Sequence, residues 1–178
     1  MEQIINRFRS LAPAVDHCSI RAVEEDTEIV SVRQDVAEPV QASRDLGAMI
    51  TVAVGDGIGY AATSDLSDAG LKDAIERAHA WARLARGRSV FEGARPELPR
   101  PIGHYATPVA KPLRMSKAER IDLLMRESTA CRIDGRIVDW AAMLWTTRTR
   151  QLLATADGGE ALQQWEFTVP GLHVTAHA

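Results

Sequence analysis

Residues 44–87 read RDLGAMITVAVGDGIGYAATSDLSDAGLKDAIERAHAWARLARG, and this stretch carries the clearest structural pattern of the chain. Its first part has two β-rich runs, at 49–54 and 58–63, on either side of a short glycine segment. Gly55 and Gly57 permit the positive φ angles that tight turns between strands require. This pattern predicts a β-hairpin.

A helix is predicted directly after the hairpin. Ser67 is suited to cap its amino terminus, and the Asp68 carboxylate would lie at the positive end of the helix dipole. Apolar residues then recur at helical spacing, namely Leu71, Ala74, Ile75, Ala78, Ala82 and Ala85. Gly87 is suited to end the helix. The predicted unit is therefore strand, turn, strand, helix.

The composition is that of an ordinary globular protein. The chain has 178 residues, of which 46% are hydrophobic and 25% are charged. Its net charge of −3 does not supply the concentrated basic face that nucleic acid or an anionic membrane requires. The basic cluster at 83–88 is interpreted as a complement to the helix dipole. We therefore expect no direct nucleic-acid partner and no membrane partner.

The cysteines and the amino terminus bear on the compartment. Cys18 and Cys131 lie far apart, so we expect free thiols and a reducing, cytoplasmic environment. The amino terminus lacks the apolar core of a signal peptide. No apolar run approaches the roughly 20 residues that a membrane-spanning helix needs.

The whole chain predicts an α+β fold of mostly antiparallel sheet with covering helices. Residues 1–88 are predicted to form a first half of helix, five strands and helix. Five of the eight prolines lie within 89–115, which predicts an extended connector. Residues 116–178 are predicted to form a second half of one helix and four strands. Because the sequence stops within a predicted strand, we expect the chain to be cut from a longer protein.

Several strand ends are predicted from charged or turn-forming residues. The acidic cluster at 24–26 is interpreted as a solvated turn, and the segment 148–150 as a link between two strands. Pro39 is interpreted as an edge or a bulge within a weaker strand at 36–43. The Pro170-Gly171 pair is predicted to divide the last two strands. The exposed edge of the last strand would then favour pairing with another chain.

Two further helices are predicted outside the opening stretch. The first carries an apolar face of Ile4, Ile5, Phe8 and Leu11, and it ends before Pro13. The second begins at Ser116-Lys117-Ala118-Glu119, which matches a capping box.

Two segments also resemble a known family. The segments GYAAT at 59–63 and DLS at 65–67, within the opening stretch, resemble the N-terminal domain of the TldD/PmbA family of zinc metalloproteases. Members of this family were also called modulators of DNA gyrase. The end of the chain, WTTRTRQLLATADGGEALQQWEFTVPGLHVTAHA at 145–178, is similar to the end of the same domain. The resemblance thus extends over most of the chain.

The resemblance implies that this chain and the catalytic site belong to different domains of a longer protein. The family's chemistry is attributed to a His-Glu-x-x-x-His helix in a C-terminal domain, where two histidines hold zinc and the glutamate is the general base. The N-terminal domain is then expected to be non-catalytic, to form the wall of a chamber and to make subunit contacts. The implied substrate is peptide or unfolded protein, and the implied partner is a second copy or a related subunit.

No residue of this chain is nominated as catalytic or metal-binding, and no binding residue is assigned. None of the histidines is followed by glutamate, and His79 has no second histidine one turn away. His173 and His177 would lie roughly 13 Å apart in a straight strand, too far to share one zinc ion. The glycines at 55–59 join two strands and do not open a helix, so they do not indicate a phosphate loop.

Alternatives remain open for the function. Trp140, Trp145 and Trp165 are interpreted as core residues, with a ligand platform as the alternative. The chain could instead be a stand-alone module that binds protein or extended peptide at a sheet edge and has no enzymatic activity. A role with gyrase or nucleic acid is a third hypothesis, which the acidic balance disfavours.

Overall fold

The computed structural model describes residues 2–88, 98, 100–107 and 115–177. The helices among these residues are α1 (Glu2–Leu11), α2 (Asp68–Ala85) and α3 (Lys117–Ala130). The strands are β1 (His17–Arg33), β2 (Val36–Ala37), β3 (Gln41–Val54), β4 (Gly57–Thr63), β5 (Ile102–Ala106), β6 (Ile137–Thr155) and β7 (Glu160–Ala176). This composition confirms the predicted α+β class. None of the described helices has the length and apolar character that a bilayer crossing needs.

The strands belong to one sheet with the order β4-β3-β1-β6-β7-β5, and β2 pairs with β1. The pairs β1–β2 and β3–β4 are antiparallel, whereas β5 pairs parallel with β7. The sheet is mostly antiparallel, as predicted.

The predicted hairpin is confirmed as β3 and β4. Val54 pairs with Gly57, which leaves Gly55 and Asp56 as a two-residue turn. Gly55 has a φ of 61°, a left-handed value that glycine adopts without a Cβ clash. The Asp16 carboxylate accepts a hydrogen bond from the Gly55 N–H at 2.6 Å and fixes the turn.

The glycines of β4 also let α2 approach the strand closely. A Cβ atom on Gly59 would lie 2.1 Å from the Ala78 carbonyl oxygen, and one on Gly57 would lie 2.1 Å from the Ala82 carbonyl oxygen. No side chain fits at either position. The glycine pattern of the opening stretch therefore serves helix-on-strand packing as well as the turn.

The predicted helix starts are confirmed. The Ser67 side chain accepts from the Gly70 N–H at 3.2 Å at the start of α2. At the start of α3, Ser116 and Glu119 form both hydrogen bonds of a capping box. α2 ends with Arg86 as its C-cap residue, and Gly87 follows at a φ of 71°.

The predicted turn at 24–26 is wrong, because β1 continues through it. Each of its three carboxylates has a polar partner on another strand. Glu24 lies 3.4 Å from Arg150, and Glu25 accepts from Thr149 at 3.1 Å. Asp26 lies 3.6 Å from Arg44. Polar pairs between strands stabilise a sheet, so an acidic run with such partners can remain extended.

The predicted breaks at 148–150 and at Pro170-Gly171 are also wrong, since β6 and β7 are each continuous there. β5 pairs with β7 only at Glu160–Gln164, so Pro170 lies beyond the β5 pairing. A proline, which cannot donate to the ladder, is tolerated along such an edge.

The weaker strand predicted at 36–43 is interrupted around Pro39, between β2 and β3. The connector predicted at 89–115 lies mostly outside the described residues. Its described part includes β5. The last strand, β7, pairs with β5 only along Glu160–Gln164, so beyond Gln164 no described strand covers the outer edge of β7.

One compact unit, unit 1, comprises Met1–Glu24, Asp45–Ala106 and Arg150–Gln164. Its core includes Ile5 and Phe8 of α1, which confirms the predicted buried face of that helix. The rest of the core comes from β1, β3, β4, α2 and β6, with Ile20, Ile50, Leu71 and Leu152 fully buried.

The other compact unit, unit 2, comprises Glu25–Arg44, Thr107–Thr149 and Trp165–Ala178. Its core is smaller and consists of Val30, Val32, Leu124, Ala142 and Leu144. The units are interleaved along the chain because β1 and β6 each contribute residues to both. The halves predicted at 1–88 and 116–178 are continuous segments and remain a prediction.

Candidate functional site

The described residues do not provide a metal centre. Among residues 2–88, 98, 100–107 and 115–177, no three His, Cys, Asp or Glu side chains are grouped to hold a metal ion. The histidines are distributed over β1, α2, β5, β7 and the residue after β7, at His17, His79, His104, His173 and His177. The potential ligands among the described residues therefore do not form a zinc site.

Both cysteines are free, and Cys18 is buried in the core of unit 1. Burial raises the pKa of the Cys18 thiol to about 12, because the thiolate would lose its hydration. A thiol with this pKa is a poor nucleophile near neutral pH. Cys131 lies at the end of α3, where its Sγ donates to the Glu127 carbonyl.

A charged cleft in unit 2 is the first candidate for recognition. Its volume is about 290 Å3. It is lined by Asp26 and Glu28 of β1, Thr146 and Arg148 of β6, Glu166 and Thr168 of β7, Arg120 of α3 and Met115. No local motif could have indicated this cleft, because its residues come from four distant segments.

Two ion pairs join charged residues of this cleft, and Asp26 pairs with Arg44. Arg120 contacts Glu28, and Arg148 Nε donates to Glu166 Oε2 at 2.9 Å. The hydrogen bond to Glu166 raises the pKa of the Arg148 guanidinium, and the charge of Asp26 adds to this effect. The cleft is therefore suited to recognise a polar or charged group.

One donor in the charged cleft is unsatisfied. Arg120 Nε is buried and has no acceptor in the described part of the chain. A buried donor without an acceptor costs about 1–3 kcal/mol, so this atom favours an oxygen from water or a ligand.

An amide-rich cleft of about 380 Å3 lies in unit 1. It is lined by Gln3, His104, Arg150, Gln151, Leu162, Gln163 and Gln164. Gln151 accepts from Arg21 at 2.7 Å and donates to Gln163 at 2.9 Å. Amide side chains are neutral donors and acceptors, so this cleft is suited to bind polar groups.

The tryptophans do not share one environment. Trp140 is half-buried, its Nε1 donates to Asp35 at 3.1 Å, and the Arg132 guanidinium lies 4.3 Å from its ring centroid. Trp165 is half-buried as well. Trp145 is 42% exposed, so its assignment to the core is wrong. It lies on the sheet face of β6 opposite Leu144, which belongs to the core of unit 2.

The comparisons with known proteins agree with the resemblance seen in the sequence. The family model described as PmbA/TldA metallopeptidase domain 1 matches residues 18–82. The matched segment begins in β1 and ends at Ala82 of α2, whose carbonyl lies over Gly57. A comparison with curated proteins finds no match.

Solved structures share the fold. A protein from Thermotoga maritima described as a candidate modulator of a DNA gyrase matches with a TM-score of 0.72, 15% identity and 99% of this chain. A protein of the same description from Bacteroides thetaiotaomicron matches with a TM-score of 0.68 and 13% identity, also over 99% of this chain. TldE from Thermococcus kodakarensis matches with a TM-score of 0.70 and 17% identity over the whole chain.

This chain spans 40%, 40% and 39% of the length of these three structures. Identities this low establish the fold alone, whereas the family model identifies the segment by its sequence. The family match and the shared fold confirm the resemblance: residues 18–82 match the model of the first domain of the PmbA/TldA metallopeptidase family, and the chain shares the fold of the three solved structures.

Proposed function

We propose that this chain is the non-catalytic N-terminal domain of a TldD/PmbA-like zinc metallopeptidase that acts on peptides or unfolded protein. The observation that carries the proposal is the family match over residues 18–82. The much greater length of the structural relatives supports it. Zinc and the catalytic groups would belong to a further domain, because this sequence contains no His-Glu-x-x-x-His motif.

In such a protein, the chain would form part of the chamber wall and make subunit contacts with a second copy or a related subunit. An exposed apolar sheet face in unit 2 supports this role. Thr146 and Thr168 bond to each other at 3.1 Å and so share one face. Strand alternation places the exposed residues Met143, Trp145, Phe167 and Val169 on the opposite face. Grouped exposed apolar side chains are typical of contact surfaces.

The protein would work in a reducing cytoplasm. The two free cysteines support this compartment, because small domains in oxidising compartments commonly carry disulfides.

The experiment that tests the proposal is the intact mass of the protein in its native host, detected with an antibody against this chain. We expect a species well above 19.5 kDa that retains zinc and hydrolyses unstructured peptides. A species of 19.5 kDa without bound zinc would overturn the peptidase proposal.

The second candidate function is a stand-alone module for protein or peptide interaction. The observation that favours it is the open edge of β4 beside an exposed apolar groove on α2. The 19.5 kDa outcome of the same experiment would select this candidate.

A further inference from the structure

β4 is a terminal strand of the sheet, and α2 packs along it within unit 1. A groove of about 430 Å3 lies beside this contact and is lined by Ile58, Gly59, Tyr60, Trp81, Leu84, Ala85 and Arg88. Trp81, Leu84 and Tyr60 are 61%, 60% and 56% exposed. Large apolar side chains grouped at one exposed groove indicate a contact site.

The main chain of β4 offers hydrogen bonds at this groove. The two-residue turn makes Val54 and Gly57 a hydrogen-bonded pair of the antiparallel ladder. Because such pairing alternates along a strand, the N–H and C=O groups of Ile58, Tyr60 and Ala62 point away from β3.

One hydrogen bond confirms this orientation. The Ala62 carbonyl accepts from Arg77 Nη2 of α2 at 3.1 Å, so it points away from β3. No second strand of the described chain pairs with this edge. The N–H and C=O groups of Ile58 and Tyr60 are therefore a template for an added strand.

The helix side of the groove defines the chemistry of the added strand. Leu84 lies in the last turn of α2, and Arg88 lies three residues beyond the end of that helix at Ala85. Both line the groove, which therefore offers an apolar surface and a cationic side chain. Alternate residues of an extended strand are about 6.7 Å apart and point to the same side, so a strand added to β4 can present an apolar and an acidic residue, separated by one position, to this lining.

We propose that this groove binds an extended peptide segment by strand addition to β4, with an apolar side chain against Trp81 and Leu84 and an acidic side chain, two positions away, at Arg88. The inference goes beyond the peptidase function, because binding here needs neither zinc nor a further domain. A failed zinc or peptidase assay leaves it standing.

The test is a fluorescence polarisation titration with the peptide Gly-Thr-Glu-Thr-Leu-Thr-Glu-Thr-Gly carrying fluorescein at its amino terminus. Glutamates on both sides of the leucine accommodate a parallel or an antiparallel strand. We expect saturable binding that weakens about ten-fold or more when both glutamates are replaced by lysine, or the leucine by serine.

Variants of the protein locate the binding. Trp81→Ser should weaken the glutamate probe about ten-fold, and Arg88→Glu should reverse the preference in favour of the lysine probe. The matched control is Val36→Ser, which removes a comparably exposed apolar side chain of unit 2 and should leave binding unchanged. Circular dichroism verifies that each variant is folded.

Amide hydrogen exchange tests the strand addition itself. The Ile58 and Tyr60 N–H groups should exchange about ten-fold more slowly in the presence of saturating probe, because each would donate to the added strand. Three results would each overturn the inference: no saturable binding, equal affinity for the glutamate and lysine probes, or unchanged exchange at both amides in the bound state.

Discussion

Asp35 shows how one residue fixes a turn. It has a φ of 62° in the two-residue connection between β1 and β2, a region that aspartate tolerates better than most residues. Its carboxylate accepts from Thr129 Oγ1 at 2.6 Å and from Trp140 Nε1 at 3.1 Å. These hydrogen bonds hold the pKa of Asp35 below its ordinary value, and the Arg132 charge contributes to the shift.

The lowered pKa of Asp35 predicts a pH-dependent loss in the variant Asp35→Asn. A lowered folded-state pKa stabilises the protein above the ordinary aspartate pKa of about 3.9, and this contribution is lost as pH falls through the folded value. Urea unfolding should show Asp35→Asn less stable than the parent at pH 7, with a smaller difference at pH 3. Asp122→Asn, at an exposed position of α3, is the control. An equal difference at both pH values would contradict the assignment.

The two cysteines predict different thiol reactivity. Because burial raises the pKa of Cys18 to about 12, its thiolate is scarce at pH 8, whereas Cys131 is partly exposed. We expect Ellman's reagent to titrate one thiol in the folded protein and none in Cys131→Ser. In guanidinium chloride, the parent should show both. Two rapidly reacting thiols in the folded parent would show that Cys18 is accessible.

At the scale of elements, the contact of α2 with β4 predicts the effect of Gly59→Ala. The new methyl group would lie 2.1 Å from the Ala78 carbonyl oxygen, so the helix must move away from the strand. Overpacking of this kind costs about 1–3 kcal/mol or more. Chemical denaturation should show a lower midpoint with an unchanged slope.

The control for this prediction is Gly103→Ala on β5. A Cβ atom there meets no heavy atom within 4 Å, and the residue is exposed. We expect little change in its unfolding midpoint. Equal losses for the two variants would indicate a general intolerance to alanine in place of strand glycine.

The elements with local signals were predictable from the sequence. The hairpin and the starts of α2 and α3 depend on turn and cap residues within a few positions of each other. The continuity of β1 was not predictable, because Glu25 is stabilised by Thr149, 124 residues later. The charged cleft escaped prediction for the same reason. Its residues come from β1, α3, β6 and β7 and form no local motif.

At the scale of the whole molecule, the interleaved units predict that residues 1–88 do not fold alone. The core of unit 1 requires Leu152 and Ala154 of β6, both fully buried, and is completed by Leu162 of β7. A fragment of residues 1–88 would lack Leu152, Ala154 and Leu162. The part of the unit 1 core that these residues cover, a core that includes Ile20, would then be exposed to water. We expect poor amide dispersion in its NMR spectrum.

The full chain under the same conditions is the reference for that spectrum. A well-dispersed, cooperatively unfolding fragment 1–88 would contradict the prediction and support the division into continuous halves. The same interleaving predicts slow folding, because much of the sheet joins segments far apart in sequence. Refolding in the range of milliseconds to seconds is typical of such topologies.

The contact between Gly59 and Ala78 also restricts which second-site suppressors can exist. The atom that blocks a side chain at position 59 is a main-chain oxygen, which every amino acid at position 78 would retain. A smaller residue at 78 therefore creates no room for alanine at 59. Suppressors of Gly59→Ala should instead lie at the apolar contacts of α2 with α1 and the sheet, because these contacts determine the position of the helix.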